Sequence, residues 1–408
     1  MFLFQKIDMD WWIMNVIVVP FLWFLRFVLE IPAFYHKSWW WYGETILASD
    51  GIRLSKDISI QRHISYGPMT MQSMDKIVHR KKESSKKQNV KCAILYAHGG
   101  GGVVCRSEHT SHSVVPLIRG NQTFKIAFSV DYPYSPEHRS PCAVLSILQA
   151  AAFVKKNFGI ERLIFVGESS GSQLVTVAAA LIENKTTLHS LLDAVQAFGI
   201  SDASCCALNP HNLRHCTFPK IVGVTSVSGI LDREAWRCPP NLTDTTSPVL
   251  RCLFGLEWRF VQMAIDASLR MSRCCACLPD HDSKHARILR ATTLSDLYAL
   301  GGVSSYPPLF LVSAEHDPLK ESSTYVRTIW KRDPRYGSTL GTVTCIEYGG
   351  QHHGFFGLPM QWTDFGHLFQ YFVSKSFRER VLCRKVTPGI QLATNDMIHF
   401  IRSINKTH

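Results

Sequence analysis

The sequence predicts an α/β fold, with a mainly parallel central sheet, helices on both faces and a helical cap. Two observations carry that expectation. Apolar runs of strand length, at about residues 91–97, 124–130, 162–166, 221–227, 308–313 and 342–348, recur through the chain with helix-compatible stretches between them. Strands that alternate with helices pair in parallel and are covered on both faces. At 408 residues the chain can also bury one large core and still carry a cap. The strand pattern lapses between about residues 232 and 305, so this stretch is expected to be an insertion that supplies part of the cap. No internal repeat interrupts the pattern.

The first run, Lys91 to Ala97, ends in His98-Gly99-Gly100-Gly101-Gly102. Glycines after a strand present bare backbone N–H groups that can crowd around a substrate oxygen with no side chain in the way. A phosphate-cradling loop would need a following Gly-Lys-Ser/Thr or a G-x-G-x-x-G opening a helix, and neither is present. The run Arg162 to Val166 leads directly into Gly167-Glu168-Ser169-Ser170-Gly171, followed by the apolar stretch Ser172 to Ile182. A strand, G-x-S-x-G and a helix in that order place a serine hydroxyl on a sharp turn, where a histidine can activate it. Gly167 and Gly171 permit the tight turn and the close approach of strand to helix. Each motif is weak alone. H-G-G-G ahead of G-x-S-x-G is the pairing that builds an oxyanion hole beside a serine nucleophile.

Between the two motifs lies Asp131-Tyr132-Pro133-Tyr134-Ser135-Pro136-Glu137-His138. With this third segment the chain resembles the hormone-sensitive-lipase branch of the α/β-hydrolases, which includes arylacetamide deacetylase-like esterases. The resemblance covers about residues 90–360. Three positions depart from that pattern: Glu168 stands where Asp is usual, Ser170 where Ala is usual, and Gly102 where a bulky residue often follows the glycines. The Asp131–Pro141 segment reads as structural, with Glu137 tying down a loop behind the site.

The resemblance implies a Ser–Asp–His triad in that chain order. Asp317, in Asp317-Pro318-Leu319 after the strand at 308–313, matches the acid; Glu315 is the alternative acid two residues earlier. His353, in His353-Gly354-Phe355 after the strand at 342–348, matches the base in place of His352. Ser169 is then the nucleophile, and the N–H groups of Gly100, Gly101 and Ser170 are the oxyanion donors, with His98, Gly99, Gly167 and Gly171 completing the motifs. The activity implied is a serine carboxylesterase or deacetylase that hydrolyses apolar carboxylic esters, such as acetylated or acylated lipid, sterol or aryl esters, through an acyl-enzyme. It needs no cofactor. A non-catalytic ligand receptor on the same fold, and a thioesterase or transacylase using the same triad, are the alternatives left open.

Residues 1–42 are rich in apolar and tryptophan residues, including Trp11 to Leu25 and Trp39 to Tyr42. Such a segment with tryptophans at both ends suits membrane attachment, most simply as a signal anchor, so membrane lipid is an expected partner. Residues 43–90 are expected to form a cap-forming region and a basic loop, and 91–408 the catalytic domain. Sequons at Asn121, Asn184, Asn241 and Asn405 suit a lumenal glycoprotein, and the membrane-anchored relatives face the endoplasmic-reticulum lumen, whereas Arg26 and Lys37 beyond the apolar run favour the opposite topology. Thirteen cysteines leave at least one unpaired. Cys274, Cys275 and Cys277 with His281 lack a second ligand pair, and no metal is expected. The formal charge of +12 is scattered along the chain without a nucleic-acid motif, so nucleic acid is not an expected partner. The oligomeric state is left open.

Overall fold

The computed structural model describes residues 57–80, 91–102, 105–107, 111–134, 137–138, 140–198, 213–232, 283–317, 319–353, 356 and 388–406. The apolar segment 1–42, the Cys274–His281 cluster and Asn241 lie outside them. Among the described residues no helix is long and apolar enough to cross a membrane.

Eight strands form one sheet: β1 (Ile58–Ser65), β2 (Ser73–His79), β3 (Cys92–Ala97), β4 (Ile126–Val130), β5 (Arg162–Glu168), β6 (Lys220–Val227), β7 (Leu309–His316) and β8 (Val343–His352). Their order is β1-β2-β4-β3-β5-β6-β7-β8. All neighbours from β4 to β8 pair in parallel, while β1–β2 and β2–β4 are antiparallel. The six apolar runs are the six strands β3 to β8. β1 and β2 correct the expectation that residues 43–90 form part of a cap, because 58–79 belong to the main sheet. Their sequences hid this. β1 lies at the edge and leaves Gln61, His63 and Ser65 exposed, so it lacks the continuous apolar signature of a strand buried on both faces.

Helices cover both faces: α1 (Ser111–Arg119), α2 (Cys142–Phe158), α3 (Ser170–Glu183), α4 (Lys185–Ala197), α5 (Lys284–Arg290), α6 (Leu294–Ala299), α7 (Lys320–Arg332) and α8 (Pro388–Lys406). Successive strand residues point to opposite faces. Ala93, Leu95, Leu163 and Phe165 meet α2, α3 and α4 on one side, whereas Ile94, Tyr96, Ile164 and Val166 meet α1 and α8 on the other. α8 seats closely on the sheet. Phe400 stacks on Phe310 at 5.1 Å, and a Cβ added to Gly223 would collide with Ile404.

The region expected to form the insertion at 232–305 divides. Its last part is α5 and α6, which pack against α4 and α3 and so belong to the body of the fold. α6 starts with a capping box in which Thr293 and Asp296 satisfy each other's backbone N–H groups. Residues 233–282 lie outside the described residues.

Two of the four sequons are structural asparagines, which corrects the glycoprotein expectation at those positions. Asn121 is 4 % exposed, and its Oδ1 accepts from the N–H groups of Thr123 and Phe124. Asn184 is equally buried and joins the end of α3 to the approach to β7. Its amide donates to Ala180 and Ser305 carbonyls, and its Oδ1 accepts from the Ser304 N–H at 2.7 Å and the Ser304 hydroxyl at 2.6 Å. A glycan cannot be placed there without dismantling that network. Asn184→Ala is expected to lower stability by about 2–4 kcal/mol, because several buried partners lose their bonds together. Chemical denaturation of the two proteins, compared at equal slope, measures it.

Candidate active site

β5 delivers its last residue, Glu168, to a turn at Ser169, and α3 begins at the next residue. Ser169 holds φ 50° and ψ −118°, a conformation that non-glycine residues rarely occupy and that surrounding structure must impose. That structure is visible. The Ser169 N–H donates to Val227 O at 2.8 Å. Beneath the turn, the Ser172 hydroxyl donates to Gly167 O at 2.5 Å and accepts from Val227 N–H at 3.0 Å. A Cβ on Gly167 would come within 2.5 Å of Gly171 O, and one on Gly171 would collide with the carbonyl oxygens of Ala97 and His98. Both glycines are therefore required by close backbone approach, and the end of β3 abuts the start of α3.

Because β5, β7 and β8 run parallel, their carboxyl ends share one edge of the sheet. Asp317 follows β7 and His353 follows β8. Ser169 Oγ lies 3.0 Å from His353 Nε2, and His353 Nδ1 lies 3.0 Å from Asp317 Oδ1. The carboxylate can only accept, so Nδ1 carries the proton and Nε2 is the acceptor for the serine hydroxyl. Asp317 is wholly buried and the imidazole partly exposed, which leaves the ring reachable from outside and its acid shielded. Burial pushes the Asp317 carboxyl up. The charge and hydrogen bond of His353, the Ser228 hydroxyl and the Leu319 N–H at 2.8 Å outweigh that and hold it below the usual carboxylate range.

The two candidate acids have different partners. Glu315 is exposed and accepts the Gly350 N–H of β8 at 2.7 Å, whereas Asp317 bonds the imidazole. His352 is the last ladder residue of β8, paired with His316, and His353 is the first residue beyond it.

On the opposite side of Ser169, Gly100, Gly101 and Gly102 hold φ of 111°, 65° and 74°. Three consecutive left-handed residues are accessible only to glycine at low cost, and they fold the loop back toward the serine. A Cβ on Gly99 would lie 3.2 Å from both Glu168 O and Ser169 Cβ, so the loop runs directly against the nucleophile. The Ser170 N–H is the first of α3 and has no carbonyl one turn earlier to receive it, and the positive end of the helix dipole lies there.

His98 anchors this loop. It is 2 % exposed, stacks on Tyr132 with ring centroids 4.5 Å apart, and its Nδ1 donates to Gly99 O at 2.7 Å. Its Nε2 faces the Tyr134 hydroxyl at 3.2 Å and Asp131 Oδ1 at 3.6 Å, and its carbonyl accepts from Tyr132 Oη at 2.7 Å. Asp131 in turn accepts from Ser107 N–H at 2.6 Å and Ser73 Oγ at 2.9 Å. Burial raises its pKa, but the hydrogen bonds and the His98 contact hold it below the ordinary range. Asp131 therefore ties β2, β4 and the glycine loop together, a more specific role than the structural reading of its motif. Ser73, Ser107 and Ser228 carry no sequence signal, since an isolated serine marks nothing until its partner is known. Among the described residues no group of three or more His, Cys, Asp or Glu is arranged to hold a metal ion.

The fold is shared with known proteins. A family with the alpha/beta hydrolase fold matches residues 94–206. Among solved structures, esterase B of Lactobacillus rhamnosis HN001 is similar at 12 % identity and a TM-score of 0.50, covering 83 % of this chain and 90 % of that one. A form of that esterase described with a C4-C4 tributyrin phosphonate inhibitor aligns at 13 % identity and 0.51, covering 83 % and 91 %. A third, inhibited by a C6-C4 compound, aligns at 12 % and 0.51, covering 90 % and 94 %. Sheet order, crossover helices and these alignments agree: the chain has the α/β-hydrolase fold.

Proposed function

We propose that the protein is a serine carboxylic ester hydrolase whose nucleophile is Ser169, whose base is His353 and whose acid is Asp317. The observation that carries this reading is the unbroken chain of contacts from Ser169 Oγ through the imidazole to Asp317, each 3.0 Å long. His353 Nε2 takes the Ser169 proton as Oγ attacks the ester carbonyl, and Asp317 stabilises the imidazolium that forms. The N–H groups of Gly100, Gly101 and Ser170 receive the developing oxyanion. The imidazolium then protonates the leaving alcohol. Water, deprotonated by the same histidine, releases the acid from the acyl-enzyme. Substrates are apolar esters of acetylated or acylated lipid, sterol or aryl alcohols, in keeping with the resemblance in three motifs and with the phosphonate-inhibited esterase to which the chain is similar. Labelling of the folded wild-type protein by a fluorophosphonate probe, lost in Ser169→Ala, is the expected result. Absence of labelling in folded wild-type protein supports the ligand-receptor alternative instead.

We also propose that residues 1–42 attach the protein to a membrane, with the catalytic domain in the endoplasmic-reticulum lumen. The apolar, tryptophan-flanked composition of that segment supports attachment. The full-length chain is expected to resist extraction by alkaline carbonate and to be protected from protease in sealed microsomes. Release by carbonate would refute attachment, and digestion in sealed microsomes would refute the lumenal topology.

A further inference from the structure

Two positions that depart from the resemblance, 102 and 170, meet in the folded protein. The Gly102 N–H donates to Ser170 Oγ at 3.0 Å. Ser170 is 4 % exposed, so this bond is shielded from water, where it is worth more than on a surface. Alanine, the usual residue at 170, could not accept it. A bulky residue at 102 would be strained, because the backbone there holds φ 74°.

The position of this bond gives it a consequence. The glycine loop offers three successive N–H groups. Those of Gly100 and Gly101 are the ones that the proposed mechanism assigns to the oxyanion, and that of Gly102 is bound to Ser170. Ser170 also supplies the third oxyanion donor from its own backbone. One residue therefore presents a donor from one wall of the oxyanion hole and grips the opposite wall with its side chain. At its other end the loop is held by His98, through Tyr132, Tyr134 and Asp131. The glycine loop is thus held at the His98 end by the segment after β4 and at the Gly102 end by the start of α3. Donors that must sit about 3 Å from a transient charge lose effect when they are free to wander, since electrostatic stabilisation depends on their being fixed before the charge appears.

We infer that the Ser170 hydroxyl is a positioning group, which clamps the glycine loop to the N-terminus of α3 and sets the width of the oxyanion hole. It touches no reacting atom and acts through the Gly100 and Gly101 donors. This inference rests on the ester-hydrolase reading above, and the test separates the two.

The experiment compares wild type, Ser170→Ala and Ser170→Thr in the full chain, with p-nitrophenyl acetate as substrate and active sites counted by fluorophosphonate titration. Ser170→Ala keeps the backbone donor and removes only the clamp. Its kcat per titrated site is expected to fall about tenfold, the size of one well-placed hydrogen bond, while KM moves less than about twofold. Ser170→Thr, which retains the hydroxyl, should recover most of that loss. Affinity for a trifluoromethyl ketone, which binds as a tetrahedral anion, should fall in parallel with kcat in Ser170→Ala. A loss of thermal stability with kcat per titrated site unchanged would assign the bond to folding alone and overturn the inference, as would equal kcat in all three proteins. Should Ser170→Ala fail to fold, the threonine variant decides: kcat and ketone affinity near wild type support the clamp, and a loss of both overturns it. A wild-type protein that neither labels nor hydrolyses the ester would instead sink the ester-hydrolase reading.

Discussion

Ser169→Ala is expected to lower ester hydrolysis by on the order of 10⁶-fold in kcat, the scale seen when the triad serine is removed from a known serine hydrolase. The substitution deletes one oxygen and leaves the rest of the site in place. The turn that presents position 169 is held by the Ser169 N–H to Val227 O, by Ser172 beneath it and by the close approaches at Gly167 and Gly171, and none of these involves Oγ. The folded structure should therefore persist, and circular dichroism with thermal unfolding checks that it does. Residual hydrolysis above the uncatalysed rate would come from the oxyanion donors and from substrate binding. Wild-type-like turnover in the folded variant would sink the assignment of the nucleophile, and with it the acyl-enzyme route.

Asp317→Asn is expected to reduce kcat by about 10⁴-fold while leaving the backbone unchanged. The magnitude follows from the hydrogen-bond direction. Asp317 Oδ1 accepts from His353 Nδ1 at 3.0 Å and from the Leu319 N–H at 2.8 Å. Both bonds fall on Oδ1, so an asparagine either keeps an uncharged oxygen there, a weaker partner for the imidazolium, or turns its NH₂ there at the cost of the Leu319 bond, and the imidazole then carries its proton on Nε2. That nitrogen faces Ser169 Oγ and can no longer accept the serine proton. The comparison variant is Glu315→Gln. Its carboxylate accepts the Gly350 N–H at 2.7 Å, and kcat should change by no more than about threefold. Steady-state kinetics on both variants decides between the acids, and a larger loss in Glu315→Gln than in Asp317→Asn would reverse the assignment.

The same pair of acids shows where sequence reasoning works and where it stops. Both Glu315 and Asp317 leave the end of one apolar strand, two residues apart, and nothing in composition separates them. The resemblance favoured Asp317. The geometry differs between them: Glu315 is still in β7 and holds the Gly350 N–H of β8, while Asp317 lies past the strand end, within hydrogen-bond reach of His353. β1 and β2 teach a complementary lesson. Strands buried on both faces announce themselves as apolar runs, but β1 places polar residues on solvent and resembles loop sequence until its partner is known. The sequons at Asn121 and Asn184 are a third case. A triplet pattern carries no information on burial, and both side chains proved to be occupied by the backbone around them.

The amino-acid sequence alone determined the class of fold and the six central strands, and it put the glycine run and the G-x-S-x-G segment at strand ends, because apolar periodicity and strand-end motifs are local properties of the chain. The tertiary structure alone decided which hydroxyls and carboxylates hold that site together: Asp131 across β2, β4 and the glycine loop, and Ser170 against Gly102. Each of those is a contact between residues tens of positions apart. Its existence depends on how the sheet brings strand ends to a common edge, and no window of sequence contains both partners.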